Sequence, residues 1–164
     1  MPIDPNEVTV ASEACRLMGE AFQRLDSAII VHHRMLQPTD ANFSIGVFPS
    51  VWMPDEDSYE MGHQPTHEPT LSATQLGIQI LTKDSDRVRG LSLHTVIAKR
   101  VRRVLYRDNV LRLGLEALAV TASGETESFR RGRLVSHRYL SNEIGNNTLA
   151  YLSVLDYSLE TEMR

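Results

Sequence analysis

The sequence predicts an α+β fold: a mostly antiparallel sheet with two helices, a long N-terminal one and a second, basic amphipathic one, packed on one face. Three observations predict it. Several segments alternate apolar and polar residues and are joined by turn residues, which suits hairpins better than strand–helix–strand crossovers. Two other stretches place apolar residues at steps of three and four, the spacing of a helix face. A chain of 164 residues with 41% apolar and 23% charged residues also has the size and composition of one domain, residues 1–164, with a real core.

The first helix is expected from about Pro5 to His33. Asp4-Pro5-Asn6-Glu7 offers a cap, a proline for the first helical position and an acid three residues after the cap. Ala11, Ala14, Cys15, Met18, Ala21, Phe22, Leu25, Ala28 and Ile29 then form one apolar face, and Gln37-Pro38 stops it. A strand follows over Asn42 to Pro49, where Phe43, Ile45 and Val47 alternate.

Residues 52–69, WMPDEDSYEMGHQPTHEP, break all periodicity with three prolines, a glycine and five acids, so a long irregular loop is expected there. Trp52 at its base either anchors a partner or closes the edge of the core. His63 and His67 flank Glu68 in sequence, but Gln64-Pro65-Thr66 forbids the helix that would aim both imidazoles at one ion.

A second strand is read in TQLGIQILT from Leu76, Ile78 and Ile80, and Thr82 to Asp86 supplies turn residues and a helix cap. The second helix runs from Asp86 to about Arg107. On it Leu93, Ile97, Val101, Val104 and Leu105 share one arc, with Lys99, Arg102 and Arg103 opposite and Arg100 and Arg107 flanking. Asp108-Asn109 ends the run. Strands are then expected over Arg112 to Thr121, over Leu134 to Asn142 and over Thr148 to Glu160, separated by turns at 123–125 and 145–147.

No catalytic signature accompanies these elements. There is no glycine-rich phosphate loop and no nucleophile elbow. The single cysteine, Cys15, falls on the apolar face of the first helix, so it reads as a core residue. His32-His33 reads as a helix-end pair favoured by the dipole, and His94 and His137 as isolated. The carboxylates of Asp55-Glu56-Asp57 read as solvated. No enzyme activity, cofactor or metal is therefore expected. No apolar run approaches the roughly 18 residues of a membrane helix, so no membrane partner is expected either.

Charge is unevenly shared. Residues 1–69 hold eleven Asp or Glu against three Arg, a balance of −8, whereas residues 70–164 hold fourteen Lys or Arg against ten acids, +4. Such a chain has two unlike parts that can meet between copies. The candidate interface residues are Lys99, Arg102, Arg103 and Arg107 on the basic side. Trp52, Asp55, Glu56 and Asp57 are those on the acidic side. A solvated helix face is the competing reading of the arginines. A small nucleic-acid-binding or regulatory domain using residues 97–107 is another, though the sequence pI near 5.8 and the lack of interleaved aromatics argue against it.

The order of elements resembles that of the tail terminator proteins of long-tailed bacteriophages. The likeness is carried by the opening helix from Pro5, SIGVFPSVW, QLGIQILTKD ahead of the second helix, and the closing LAYLSVLDYSLETEM. It implies a structural virion protein of the tail and neck, assembled in the host cytoplasm. Its subunits would form a ring, a hexamer, that caps the tail tube. The implied partners are other copies, the tail tube protein and a neck or stopper protein, with nucleic acid involved only indirectly as it passes the channel. Another head–tail connector, a stopper or tail-completion protein, is the neighbouring reading.

Overall fold

The computed structural model describes residues 4, 6–54, 70–143 and 147–164. Its elements are α1 (Val10–Gln23), β1 (Ile30–His32), β2 (Ser44–Pro54), β3 (Thr70–Asp84), α2 (Arg87–Arg107), α3 (Asn109–Glu116), β4 (Ala119–Ala122), β5 (Glu125–Glu143) and β6 (Leu149–Met163). The strands form one six-stranded sheet in the order β1-β2-β3-β6-β5-β4, antiparallel throughout except for the β1–β2 pair. The α+β class expected from the sequence is the one observed. The expected residues 55–69 of the long loop lie outside the described residues, and 52–54 continue β2, with Trp52 opposite Thr74.

The core lies between the helices and one face of the sheet. On that face Ile45 and Val47 of β2, Leu76, Ile78 and Ile80 of β3, and Leu155, Tyr157 and Leu159 of β6 are all buried. Above them sit Val10, Ala14, Cys15, Met18 and Phe22 of α1, Ala98, Val101 and Val104 of α2, and Leu111 and Leu115 of α3. Cys15 is a core residue as its pattern implied, and burial pushes its thiol up to about 12. The opposite face of β5 and β6 is apolar around Leu140 and Leu152 but polar further along. Arg131 grips Glu160 at 2.7 and 2.9 Å, Arg138 reaches Asp156 at 3.7 Å, and Ser136 donates to Asp156.

Three expectations are corrected. The first helix is shorter at both ends. Thr9 accepts from the Ser12 amide at 3.1 Å while Ser12 accepts from the Thr9 amide at 2.9 Å, a reciprocal cap that outcompetes Asp4-Pro5. At the other end Asp26 accepts from the Ala28 amide at 2.8 Å, turning the chain so that Ile30–His32 pairs in parallel with Ser44–Gly46. His32 and His33 therefore belong to a strand end, not a helix end. The parallel pair is possible because Asp40 gathers its connection. Arg34 forks onto Asp40 at 2.7 and 2.9 Å, holding that carboxyl well below the usual range, and the Gln37 amide donates to it at 2.7 Å.

The second correction is a third helix where a strand over Arg112 to Thr121 was expected. Leu111, Leu113 and Leu115 alternate, yet Leu111 and Leu115 are also four apart, which is one face of a helix. Asp108 decides between the two. Its amide closes α2 on the Val104 carbonyl at 3.1 Å, and its carboxylate caps α3 by accepting from the Leu111 amide at 2.8 Å. Only Ala119–Ala122 remains a strand. The third correction is that β2 begins at Ser44, because Phe43 takes a left-handed conformation with φ at 61°.

Two glycines are required by their positions, one for its backbone angle and one for a close approach. Ser123 and Gly124, at φ of 54° and 85°, make the two-residue β4–β5 hairpin, the twist-matched turn of such loops. Gly90 brings α2 down onto the sheet, since a Cβ there would meet the Tyr151 ring at 2.6 Å and Asp84 Cβ at 2.8 Å. Gly90→Ala should thus destabilise by about 1–3 kcal/mol through overpacking, although alanine is the better helix former by about 1 kcal/mol. A thermal melt that rises instead would show that α2 can lift without cost.

Candidate functional site

The outer face of α2 is the candidate site. Lys99, Arg100, Arg102, Arg103 and Arg107 are all exposed, because the helix turns Gly90, His94, Ala98, Val101 and Val104 to the sheet. Asp86 starts the helix at the expected residue, accepting from the Arg89 amide at 2.9 Å. None of these five cations makes an ion pair among the described residues. That contrasts with Arg16, Arg24, Arg34, Arg89, Arg112, Arg131 and Arg138, each held by a carboxylate. Of these, Arg131 and Arg138 of β5 are satisfied within the sheet by Glu160 and Asp156.

The basic residues form two groups. Lys99 lies on the outward side with exposed Val96 and Tyr106, whereas Arg102 flanks the sheet side, near enough to His137 of β5 to help lower its pKa, after burial. Arg103 and Arg107 instead turn with Arg100 toward the end of α1. There, with Arg24, Leu25, Val104 and Asp108, they line a depression of about 410 Å³. The sequence pattern placed the cations on the helix surface but did not show that Arg24, distant in the chain, joins them. Of the remaining candidates, Asp55, Glu56 and Asp57 lie outside the described residues, and Trp52 sits in β2 on the sheet.

A buried polar group was missed. His94 is only 1% exposed, and its Nδ1 lies 2.8 Å from Thr82 Oγ1 while its Nε2 lies 2.7 Å from Ser153 Oγ. In either neutral tautomer one hydroxyl donates to the ring and the other accepts from it. The rings of Tyr139 and Tyr151 stand 5.6 and 6.0 Å away. The Ser–His distance is that of a nucleophile and its base, but Ser153 and Thr82 are themselves 1% exposed, so no substrate reaches them. The group pins α2 to β3 and β6. The signal was available, since His94 precedes Ala98 by four and Val101 by seven and so belongs to the buried arc. Among the described residues no three His, Cys, Asp or Glu side chains gather as a metal set, and His63, His67 and Glu68 lie outside them.

No protein family matches the sequence, and no curated protein does. Among solved structures the chain is similar to one chain in the virion of a native gene transfer agent particle. The identity is 12% and the TM-score 0.40, over 94% of this chain and 99% of that one.

Burial lowers the His94 pKa from 6.5 to about 4, so the folded protein keeps it neutral while the unfolded chain takes up a proton below 6.5. Stability should therefore fall as pH drops from 6.5 to about 4, by on the order of 2–3 kcal/mol for this group. The loss linked to Asp84, whose pKa is drawn down to about 2 by Arg89, comes at lower pH and is separable. Urea midpoints at pH 7 and pH 4.5 check it, and His94→Gln should flatten the difference. An unchanged midpoint in the native protein would mean His94 is solvated.

Proposed function

We propose that this protein is a structural component of a virion, a tail terminator of a long-tailed bacteriophage. Its subunits close into a ring, taken as a hexamer, that caps the tail tube and meets a neck or stopper protein. The observation that carries this reading is the set of exposed, unpaired cations on α2, in a chain whose first 69 residues are strongly acidic. A ring needs heterologous contacts, one face of a subunit against a different face of the next, and two oppositely charged parts supply them. The order of elements supports the resemblance drawn from the sequence: a first helix, the strands β2 and β3 on either side of residues 55–69, a helix crossing the sheet, and the long strands β5 and β6 at the end. The helix α3 and the short strands β1 and β4 are additions to that plan, and α3 leaves the cations of α2 exposed.

Arg102→Glu with Arg103→Glu tests the reading. Neither side chain touches the core, so the fold should remain. An exposed ionic contact contributes under about 1 kcal/mol, but a ring repeats it at every joint, so ring formation and incorporation into tails should fall sharply. Mass measurement alone and with tube protein reads the result. Normal assembly of the double variant would remove the α2 face from the interface. Tight, salt-sensitive DNA binding by a monomer would favour a nucleic-acid-binding domain instead.

A further inference from the structure

Four guanidiniums converge on one depression, and three of them have no counter-charge among the described residues. Arg24 comes from the end of α1, and Arg100, Arg103 and Arg107 come from successive turns of α2. The walls include a single carboxylate, Asp108, which Arg24 Nη2 approaches at 3.4 Å from both oxygens. That carboxylate is already committed as the cap of α3. The local balance is thus +3 in a chain whose net charge is −4. Leu25 and Val104 add apolar surface to the lining, so the guanidiniums lie partly against carbon and are less well hydrated than on an open helix face.

We infer that this depression is a docking site for carboxylates of a second copy of this chain, and that Asp55-Glu56-Asp57 supply them. This rests on the ring reading above and names the joint that closes it. Three consecutive carboxylates match the three guanidiniums left without a partner. They also form the densest run of acids in the acidic part of the chain. Guanidinium forks match carboxylate geometry, and a joint of this kind fixes orientation as well as attraction. Phosphate of a nucleic acid is the less suited occupant. The lining holds no aromatic side chain for stacking, and the chain as a whole repels a polyanion.

Two charge-reversed proteins test the joint. One carries Arg100→Glu with Arg107→Glu, the other Asp55→Lys with Glu56→Lys and Asp57→Lys. Each alone should stay monomeric by sedimentation, with tube protein present or absent, while the wild type assembles. An equimolar mixture should assemble again, because in an alternating ring every joint then opposes unlike charges. If the arginine variant assembles alone, or the mixture stays monomeric while the wild type forms rings, the ring reading stands and this joint is wrong. If the wild type itself never assembles, both fall. Duplex DNA binding that the arginine variant loses and the lysine variant keeps would make the depression a phosphate site and overturn the inference. Unchanged circular dichroism in both variants guards against a folding defect.

Discussion

The fold rests on β3, which has strands on both sides and buried residues on both faces. Its fifteen residues pair without interruption with β6, from Thr70 opposite Met163 to Asp84 opposite Leu149, and β2 lies along its other edge. Toward the helices it presents Leu76, Ile78 and Ile80. On the other side Leu81 and Gln79 are also covered, the Gln79 side chain accepting from the Leu36 amide at 2.7 Å. Register here cannot drift. A shift of one residue would turn the core row outward and bring Gln75 and Lys83 under the helices. The uneven neighbours agree with that constraint: Phe48 lies over Gly77, where a side chain would have left no room.

The two ends of this central row are polar, and each is closed by its own group. At one end His94 bridges Thr82 and Ser153, and at the other Ser72 and Thr161 share a 2.9 Å hydrogen bond that continues to Glu127. Glu127 also accepts, at 3.5 Å, from the Val10 amide at the start of α1. Each network thus ties a helix to a defined row of the sheet, so helix position follows strand register. Unpaired, these buried groups would cost about 1–3 kcal/mol each, and the positions of α1 and α2 are held as much by that penalty as by apolar contact. The basic face of α2 inherits its fixed aim from these attachments.

Much of this was legible in the residues. The α2 boundaries followed from Asp86 and the apolar period, and the β4–β5 turn from Ser123-Gly124, while the turn expected at 145–147 lies mostly outside the described residues. The errors fall where two periods fit one stretch. Leu111, Leu113 and Leu115 satisfy alternation and helix spacing alike, and only the Asp108 carboxylate, which acts on both flanking helices, breaks the tie. Ala28 and Ile29 extend the helical pattern of α1, but the Asp26 turn breaks it there and Ile30–His32 take a parallel strand partner that lies beyond local pattern. At the candidate site, exposure of the cations followed from periodicity. The arrival of Arg24 beside them is tertiary, set by how α1 crosses α2, and no local spacing announces it.

The same central ladder has a consequence for how the chain is made. Its partners are far apart in sequence, Asp84 meeting Leu149 at one end and Thr70 meeting Met163 at the other. Helix α1 and the β2–β3 pair can form while synthesis continues, but β3 has an open side until β6 has emerged from the ribosome. During that interval a long apolar strand edge is available to any other nascent or unfolded copy. Contacts of such separation are also slow to close. The yield of folded chains is therefore governed by how well that edge is shielded until β6 has docked.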